Sequence, residues 1–217
     1  MEILYFFPFK SDVEPSHSKY MFYSIDGVDG AGKSVQIKLL CEFLSNRGEK
    51  VVLCRDPGST FLSEELRKII LHRDDLPTGR LAQMFLFMAA RAQLVEEVIA
   101  PALAAGQTVV CDRFLLSSVV YQGYAGGLDP QMIYNVGLAA TRGLVPDKTF
   151  VLDVPQEVAV SRMTNRELDT IEREDAEFKQ RLRDGFKAES KKHPKSIIII
   201  DGLQSIEDVH AEIVRNL

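Results

Sequence analysis

Gly27-Val28-Asp29-Gly30-Ala31-Gly32-Lys33-Ser34 combines a run of glycines with a lysine and a hydroxyl in the phosphate-loop spacing of Gly, four residues, Gly-Lys-Ser/Thr. Each residue type has a physical role there. The glycines let the chain turn tightly and bring bare backbone N–H groups close to a polyphosphate. A helix starting beneath the loop adds the positive end of its dipole. Lys33 has the reach for the β- and γ-phosphates, and the Ser34 hydroxyl is a magnesium ligand. Gly27 through Ser34 therefore form a candidate nucleoside triphosphate site.

Other residues of the right type stand at the ends of apolar runs. Asp112-Arg113-Phe114 follows Thr108-Val109-Val110-Cys111, and a carboxylate at such a strand tip can hold magnesium beside a phosphate loop. An aspartate that merely caps the next segment would look the same. Arg55-Asp56-Pro57-Gly58-Ser59-Thr60 follows Val51-Val52-Leu53-Cys54, with proline and glycine defining a turn where ligands of parallel sheets bind. Phe87 and Arg91 lie one turn apart on a helical run, largely off its apolar stripe, and taken alone they read as surface positions. Ser117-Ser118 to Tyr121-Gln122-Gly123 is a polar and aromatic cluster ahead of a Gly-rich loop. From Arg162 to Asp175 the chain is dense in charge, as expected of a solvated helix face or of a flap over a site.

The elements that must position these groups follow from hydrophobic periodicity. Met21–Asp26, Val51–Cys54, Thr108–Cys111, Phe150–Asp153 and Ile197–Ile200 read as buried strands. A helix from Lys33 carries Ile37, Leu40, Cys41 and Leu44 on one face and stops near Gly48. The next helix presents Leu62, Leu66, Ile69 and Ile70. The run from Arg80 to Ala100 presents Leu81, Met84, Phe85, Met88 and Ala92, with Pro101 and Gly106 punctuating its end. Helices over about 130–141 and at the C-terminus complete the alternation, the last with Ile206, Val209, Ile213 and Leu217 on one face. Strands alternating with helices give an α/β fold, a five-stranded parallel sheet with helices on both faces, three layers in all.

A chain of 217 residues is sized for one domain. Its net charge of −5 argues against a role in coating nucleic acid. Cys41, Cys54 and Cys111 are scattered in apolar patterns, as expected of reduced thiols in a cytoplasmic protein. No histidine pairs with a cysteine or another histidine at metal-ligand spacing. Residues 1–19 read as an extension outside the fold, with residues 20–217 as the functional unit. Leu4-Tyr5-Phe6-Phe7 is too short to span a bilayer, so no membrane partner is expected. With no Asn-Lys pair, the chain lacks the Asn-Lys-x-Asp guanine reader of a GTPase switch. A small phosphotransferase remains, or a nucleotide-binding module without catalysis.

The phosphate loop, Arg55-Asp56-Pro57-Gly58, Phe87-Met88-Ala89-Ala90-Arg91, Asp112-Arg113-Phe114 and Ser117 to Gly123, in that order, closely resemble the thymidylate kinases from Tyr20 to the C-terminus. The resemblance implies a P-loop NTPase fold with sheet order 2-3-1-4-5 and a helical lid. It also implies a homodimer that phosphorylates dTMP to dTDP with ATP and magnesium, a step toward dTTP. Phe87 would stack on thymine, Arg91 hydrogen-bond the base edge, and Arg55 and Arg113 clamp the acceptor phosphate. Asp56 would sit by the transferring phosphate and Asp112, with Ser34, by the magnesium. Asp29 would lie near the sugar 3′-hydroxyl, Tyr121 against its 2′ side, and Ser117, Ser118 and Gln122 near base or sugar. Where one subgroup carries a phosphate-loop arginine, this chain has Gly30, so the resemblance implies that a closing lid delivers one, with Arg162 and Arg166 ahead of Arg173. Val35 replaces a common threonine, while Ser34 keeps the metal hydroxyl. The alternatives are another nucleoside monophosphate kinase or a non-catalytic ATP-binding module.

Overall fold

A computed structural model describes residues 20–73, 75–163 and 175–217. The expectation for residues 1–19 and those for Arg166 and Arg173 lie outside the described residues. In chain order the elements begin with β1 (Phe22–Gly27), α1 (Lys33–Asn46), β2 (Val51–Arg55), α2 (Phe61–His72) and α3 (Arg80–Leu94). A π-helical turn (Val95–Ile99) leads into α4 (Ala100–Ala104), β3 (Thr108–Asp112) and α5 (Leu115–Ser118). After a second π-helical segment (Val119–Ala125) come α6 (Pro130–Ala140), β4 (Lys148–Asp153) and α7 (Gln156–Arg162). The chain closes with α8 (Ala176–Lys192), β5 (Ile197–Asp201) and α9 (Ile206–Arg215). Every strand pair is parallel and the order is β2-β3-β1-β4-β5, as the resemblance implies.

Position in the sheet decides how buried each strand is. β1 lies at the centre, and all six of its residues are buried between two apolar layers. Phe22, Met84, Met88 and Phe114 belong to one layer, and Ile25, Leu40, Phe150 and Ile213 to the other. β2 is at the edge, so the expectation of a buried second strand fails. Among its residues only Cys54 is buried, and Leu53 faces solvent. β5, at the opposite edge, likewise buries only Ile200.

The buried arc of α3 also differs from the expected stripe. Met84, Phe87, Met88 and Arg91 face inward at i, i+3, i+4 and i+7, with Ala90 and Leu94 buried beside them, while Leu81 and Phe85 are about half exposed. α2 packs along α3, and a carboxylate waits inside for Arg91, so a charged residue belongs to the inner face. Pro101 does not end the run either. The π turn before it offsets the hydrogen-bond ladder, Pro101 fits the first turn of α4, and helix continues to Ala104 before Gly106 at φ 72°.

Side-chain caps set the ends of four helices. Thr60, Asp129, Asp175 and Ser205 each accept a hydrogen bond from a backbone N–H of the first turn they precede. α1 instead starts straight from Gly32, at φ 99°, which leaves its first N–H groups pointing into the loop.

Gly30 explains the missing loop arginine. It holds φ 80°, and a Cβ built on it would lie 2.2 Å from the carbonyl oxygen of Ala159 in α7. Backbone of α7 occupies the space a side chain would need. Gly32 has a similar φ but open space around it. Gly30→Ala should therefore cost more stability than Gly32→Ala, beyond the roughly 1–2 kcal/mol that left-handed backbone imposes on any L-residue. Urea unfolding of the two variants reads this; equal losses would remove the contact with α7 from the explanation.

Candidate active site

The site forms where the carboxyl ends of β1, β2 and β3 meet. Parallel register sets Arg55 level with Asp112, and Asp112 level with Ile25. Past β3 the chain kinks, with Arg113 in the left-handed region at φ 66° and its N–H donating to Ile25 O at 3.0 Å. Such backbone in a non-glycine residue marks a constrained position. After β2, the turn at Asp56-Pro57-Gly58 has a cis Asp56–Pro57 bond and delivers the chain into α2.

Among the described residues three cavities open along this edge; one, of about 170 Å³, lies between Asp29, Tyr121 and the α7 and α8 residues Val160 and Arg183, and the other two gather most of the motif residues. A cleft of about 640 Å³ runs along the phosphate loop, from Lys33 and Ser34 to Asp112, with Arg162 and Gln204 on its far side. A chamber of about 80 Å³ lies beyond, walled by Phe87, Arg91, Ser117, Ser118, Tyr121 and Gln122. Asp29, Asp56, Arg67 and Arg113 line both and form the doorway between them.

The doorway is held by charge. Arg113 donates to Gly27 O at 2.9 Å and to Asp29 Oδ1 at 2.8 Å, and lies over the Tyr121 ring at 5.1 Å. Lys33 folds back on its own loop, donating to Gly27 O at 3.1 Å and Val28 O at 2.9 Å, with Asp29 at 3.4 Å. Burial pushes the Asp29 carboxyl up, but Arg113 and Lys33 outweigh it and hold the group well below the usual carboxylate range. Burial, reinforced by Arg113, lowers Lys33.

Behind the doorway Arg91 is fully buried. Its Nε donates to Asp56 Oδ2 at 2.5 Å, Nη1 to the Met88 sulfur at 3.0 Å, and Nη2 to Ser118 Oγ at 2.8 Å and Phe114 O at 3.3 Å. Four of the five guanidinium donors are thus committed inside the protein.

Buried oxygens without a partner among the described residues mark the ligand surfaces. Asp56 Oδ1, Asp112 Oδ1, Gln36 Oε1 and Gln122 Oε1 all belong to residues lining one cavity or both. Buried polar atoms are normally satisfied, so these oxygens fit donors or cations that come with a ligand. Asp112 Oδ1 with the Ser34 hydroxyl makes a sparse set of hard oxygens. That fits magnesium, which keeps several waters and shares phosphate oxygens. Among the described residues no cluster of three or more His, Cys, Asp or Glu forms a protein metal cage.

The family model for thymidylate kinase matches residues 25–213. The thymidylate kinase of Kosmotoga olearia is 44% identical over 197 residues, covering 90% of this chain and 94% of that protein. That of Caldanaerobacter subterraneus subsp. tengcongensis is 43% identical over 194 residues, covering 89% and 93%. A crystal structure of thymidylate kinase from Ehrlichia chaffeensis superposes with a TM-score of 0.75 at 33% identity, covering 90% of this chain and 96% of that one. The chain belongs to the thymidylate kinase family.

Within this thymidylate kinase fold most of the residues singled out by sequence converge. Gly30 through Ser34, Asp56, Asp112, Arg113 and Arg162 line the cleft. Phe87, Arg91, Ser117, Ser118, Tyr121 and Gln122 line the chamber. Arg162, at the end of α7, faces the cleft and donates to Gly202 O at 3.1 Å. Gly27 and Val28 line neither of these two cavities, and Arg55 lines the cleft alone. It stays at the rim of the cleft, about half exposed and held by both carboxylate oxygens of Glu64, at 2.9 and 3.1 Å, and it does not line the chamber. Sequence reading missed Arg67, which donates to Pro57 O at 3.0 Å and lines both cavities. Its signal was an arginine two turns into the helix entered directly from the Asp56-Pro57 turn.

Arg91 also holds the structure together around Asp56. Arg91→Ala leaves the Asp56 carboxylate buried and unpaired, a loss of about 3–5 kcal/mol for this class of pair. Chemical denaturation of the purified variant measures it, and a change below about 0.5 kcal/mol, typical of a surface position, would contradict the burial argument.

Proposed function

We propose that this protein transfers the γ-phosphoryl group of ATP to the phosphate of dTMP, giving dTDP and ADP. The doorway carries this reading. Two cavities of unequal size meet at Asp29, Asp56, Arg67 and Arg113, the arrangement needed for a donor in one and an acceptor in the other. Phosphoryl transfer asks the protein for alignment and charge stabilisation more than for covalent chemistry.

The cleft would hold the ATP phosphates on the backbone of Gly27 through Ser34, with Lys33 exchanging its loop carbonyls for phosphate oxygens. Ser34 and Asp112 would hold magnesium, which neutralises charge on the β- and γ-phosphate oxygens. In the chamber, thymine would stack on Phe87, with Arg91, Ser118 and Gln122 at its edge. Tyr121 would fill the space of a ribose 2′-hydroxyl, and Ser117 and Asp29 would face the sugar. Arg113, joined by Arg67 and by Arg55 from the rim, would clamp the acceptor phosphate by guanidinium geometry. Asp56 would stand beside the group in flight, and Arg162, which lines the cleft from the end of α7, or Arg166 would meet its charge.

A coupled assay across nucleoside monophosphates, with ATP and magnesium, tests the reading. Apolar recognition of the thymine methyl allows a preference over dUMP of only about 10–200-fold. Against the ribose counterpart the preference should be sharper, because its 2′-hydroxyl would be buried unpaired. Comparable kcat/KM for AMP, GMP or CMP would make the protein a different monophosphate kinase, and ATP binding without turnover would make it a binding module. In the same assay Lys33→Ala should fall below about a tenth of the parent kcat, and Arg162→Ala should lose about a hundredfold if it is the arginine delivered from α7.

A homodimer is the proposed assembly. Leu81, Phe85 and Ala89 form an exposed stripe along α3 that a second copy of the chain would cover. Phe85→Glu should shift the sedimenting species from twice the chain mass to one; a parent protein that sediments as a monomer overturns the dimer.

A further inference from the structure

Asp26 is an ionisable group for which the mechanism above has no use. It is the fifth residue of β1, fully buried, and lines neither cavity. One carboxylate oxygen accepts from Ser24 Oγ at 3.0 Å, and the other accepts a short hydrogen bond from Ser117 Oγ. Two hydroxyls are weak company for a buried carboxylate, whose removal from water is costly unless cations lie near. The nearby cations are Arg113 and Lys33.

We propose that Asp26 is a positioning residue for the acceptor phosphate, acting on Arg113 through the hydroxyl of Ser117. A serine hydroxyl has one proton to give. The hydroxyl donates it in a hydrogen bond to Asp26, so the lone pairs of Ser117 Oγ remain for Arg113, whose Nη1 lies 3.3 Å away. Nη1 is also held by Gly27 O at 2.9 Å, a backbone atom that cannot move aside. These two acceptors fix one prong of the guanidinium. The other prong, Nη2, rests on Asp29, which lines both cavities. An incoming phosphate can replace Asp29 on Nη2 without disturbing the anchored prong. Asp26 then remains as counter-charge behind the cation, keeping Arg113 in place while its front partner changes. Burial pushes the Asp26 carboxyl above the usual carboxylate range, and the contacts with Ser117, Arg113 and Ser24 offset that push only in part.

This inference rests on the acceptor-side assignment of Arg113 in the proposed function, and thymidine separates it from a general structural role. Thymidine has the base and sugar of dTMP but no phosphate, so it does not report on Arg113. Affinities for dTMP, thymidine and ATP are measured by calorimetry, with kcat, for the full chain and for Asp26→Asn, Ser24→Ala and Arg113→Ala. Asp26→Asn should weaken dTMP by about tenfold or more, with kcat falling alongside, while thymidine and ATP stay within about threefold. Ser24→Ala removes only the rear hydrogen bond, at a residue lining neither cavity, and should show the same pattern at about threefold or more. Equal weakening of dTMP and thymidine, or dTMP affinity unchanged in Asp26→Asn, overturns the proposal. If Asp26→Asn does not fold, Ser24→Ala decides, and unchanged dTMP affinity there overturns it. If Arg113→Ala itself leaves dTMP affinity unaltered, the acceptor-side assignment has failed, a different outcome from Arg113→Ala weakening dTMP while Asp26→Asn does not.

Discussion

Two cations, Lys33 and Arg113, are placed at the carboxyl edge of a parallel sheet with little water around them, and the site depends on how their charge is balanced. A buried cation without a counter-charge would be driven toward neutrality or out of the fold. Asp29 lies in front, in contact with both, and Asp26 lies behind. The front carboxylate is where a polyphosphate would compete. The cationic centre is therefore assembled in advance, and a phosphoryl donor and acceptor would find fixed charge rather than having to gather it.

The rest of the fold serves that arrangement. Central placement of β1 buries it on both faces and aims the phosphate loop out of its end. β3, next to it, brings Asp112 and Arg113 to the same level, and the turn after β2 brings Asp56. The pair Asp56–Arg91 then ties that turn to the inner face of α3, which carries Phe87 into the chamber wall one turn earlier. A contact between Gly30 and the α7 backbone links the loop to the helix that ends at Arg162. The α3 wall is thus fastened to the turn after β2, and the α7 wall to the phosphate loop.

Local patterns were legible in the sequence because their causes are local. The phosphate loop is set by glycine backbone freedom and a helix start, so its place between β1 and α1 could be read directly. Central strands were legible because burial on both faces makes their runs mostly apolar, as in Phe22, Tyr23 and Ile25 of β1 and Val109, Val110 and Cys111 of β3. β2 was not, because its edge position depends on sheet order and not on its own residues. α3 misled for a related reason. Periodicity counted Leu81 and Phe85 as core and left Arg91 outside, whereas a buried partner 35 residues away brings the arginine in. Arg67 had no motif to announce it, and only the packing of α2 beside the Asp56-Pro57 turn puts it in the doorway.

On this reading donor and acceptor meet across the doorway, and the phosphoryl group would pass between them in one step. The stereochemistry of transfer tests this most directly. ATP made chiral at the γ-phosphorus with oxygen isotopes and sulfur is turned over with dTMP, and the configuration of the β-phosphorus in the product is read by phosphorus NMR. A single in-line displacement predicts inversion. Retention would require two displacements through a phosphorylated side chain, and would contradict direct transfer between the cleft and the chamber.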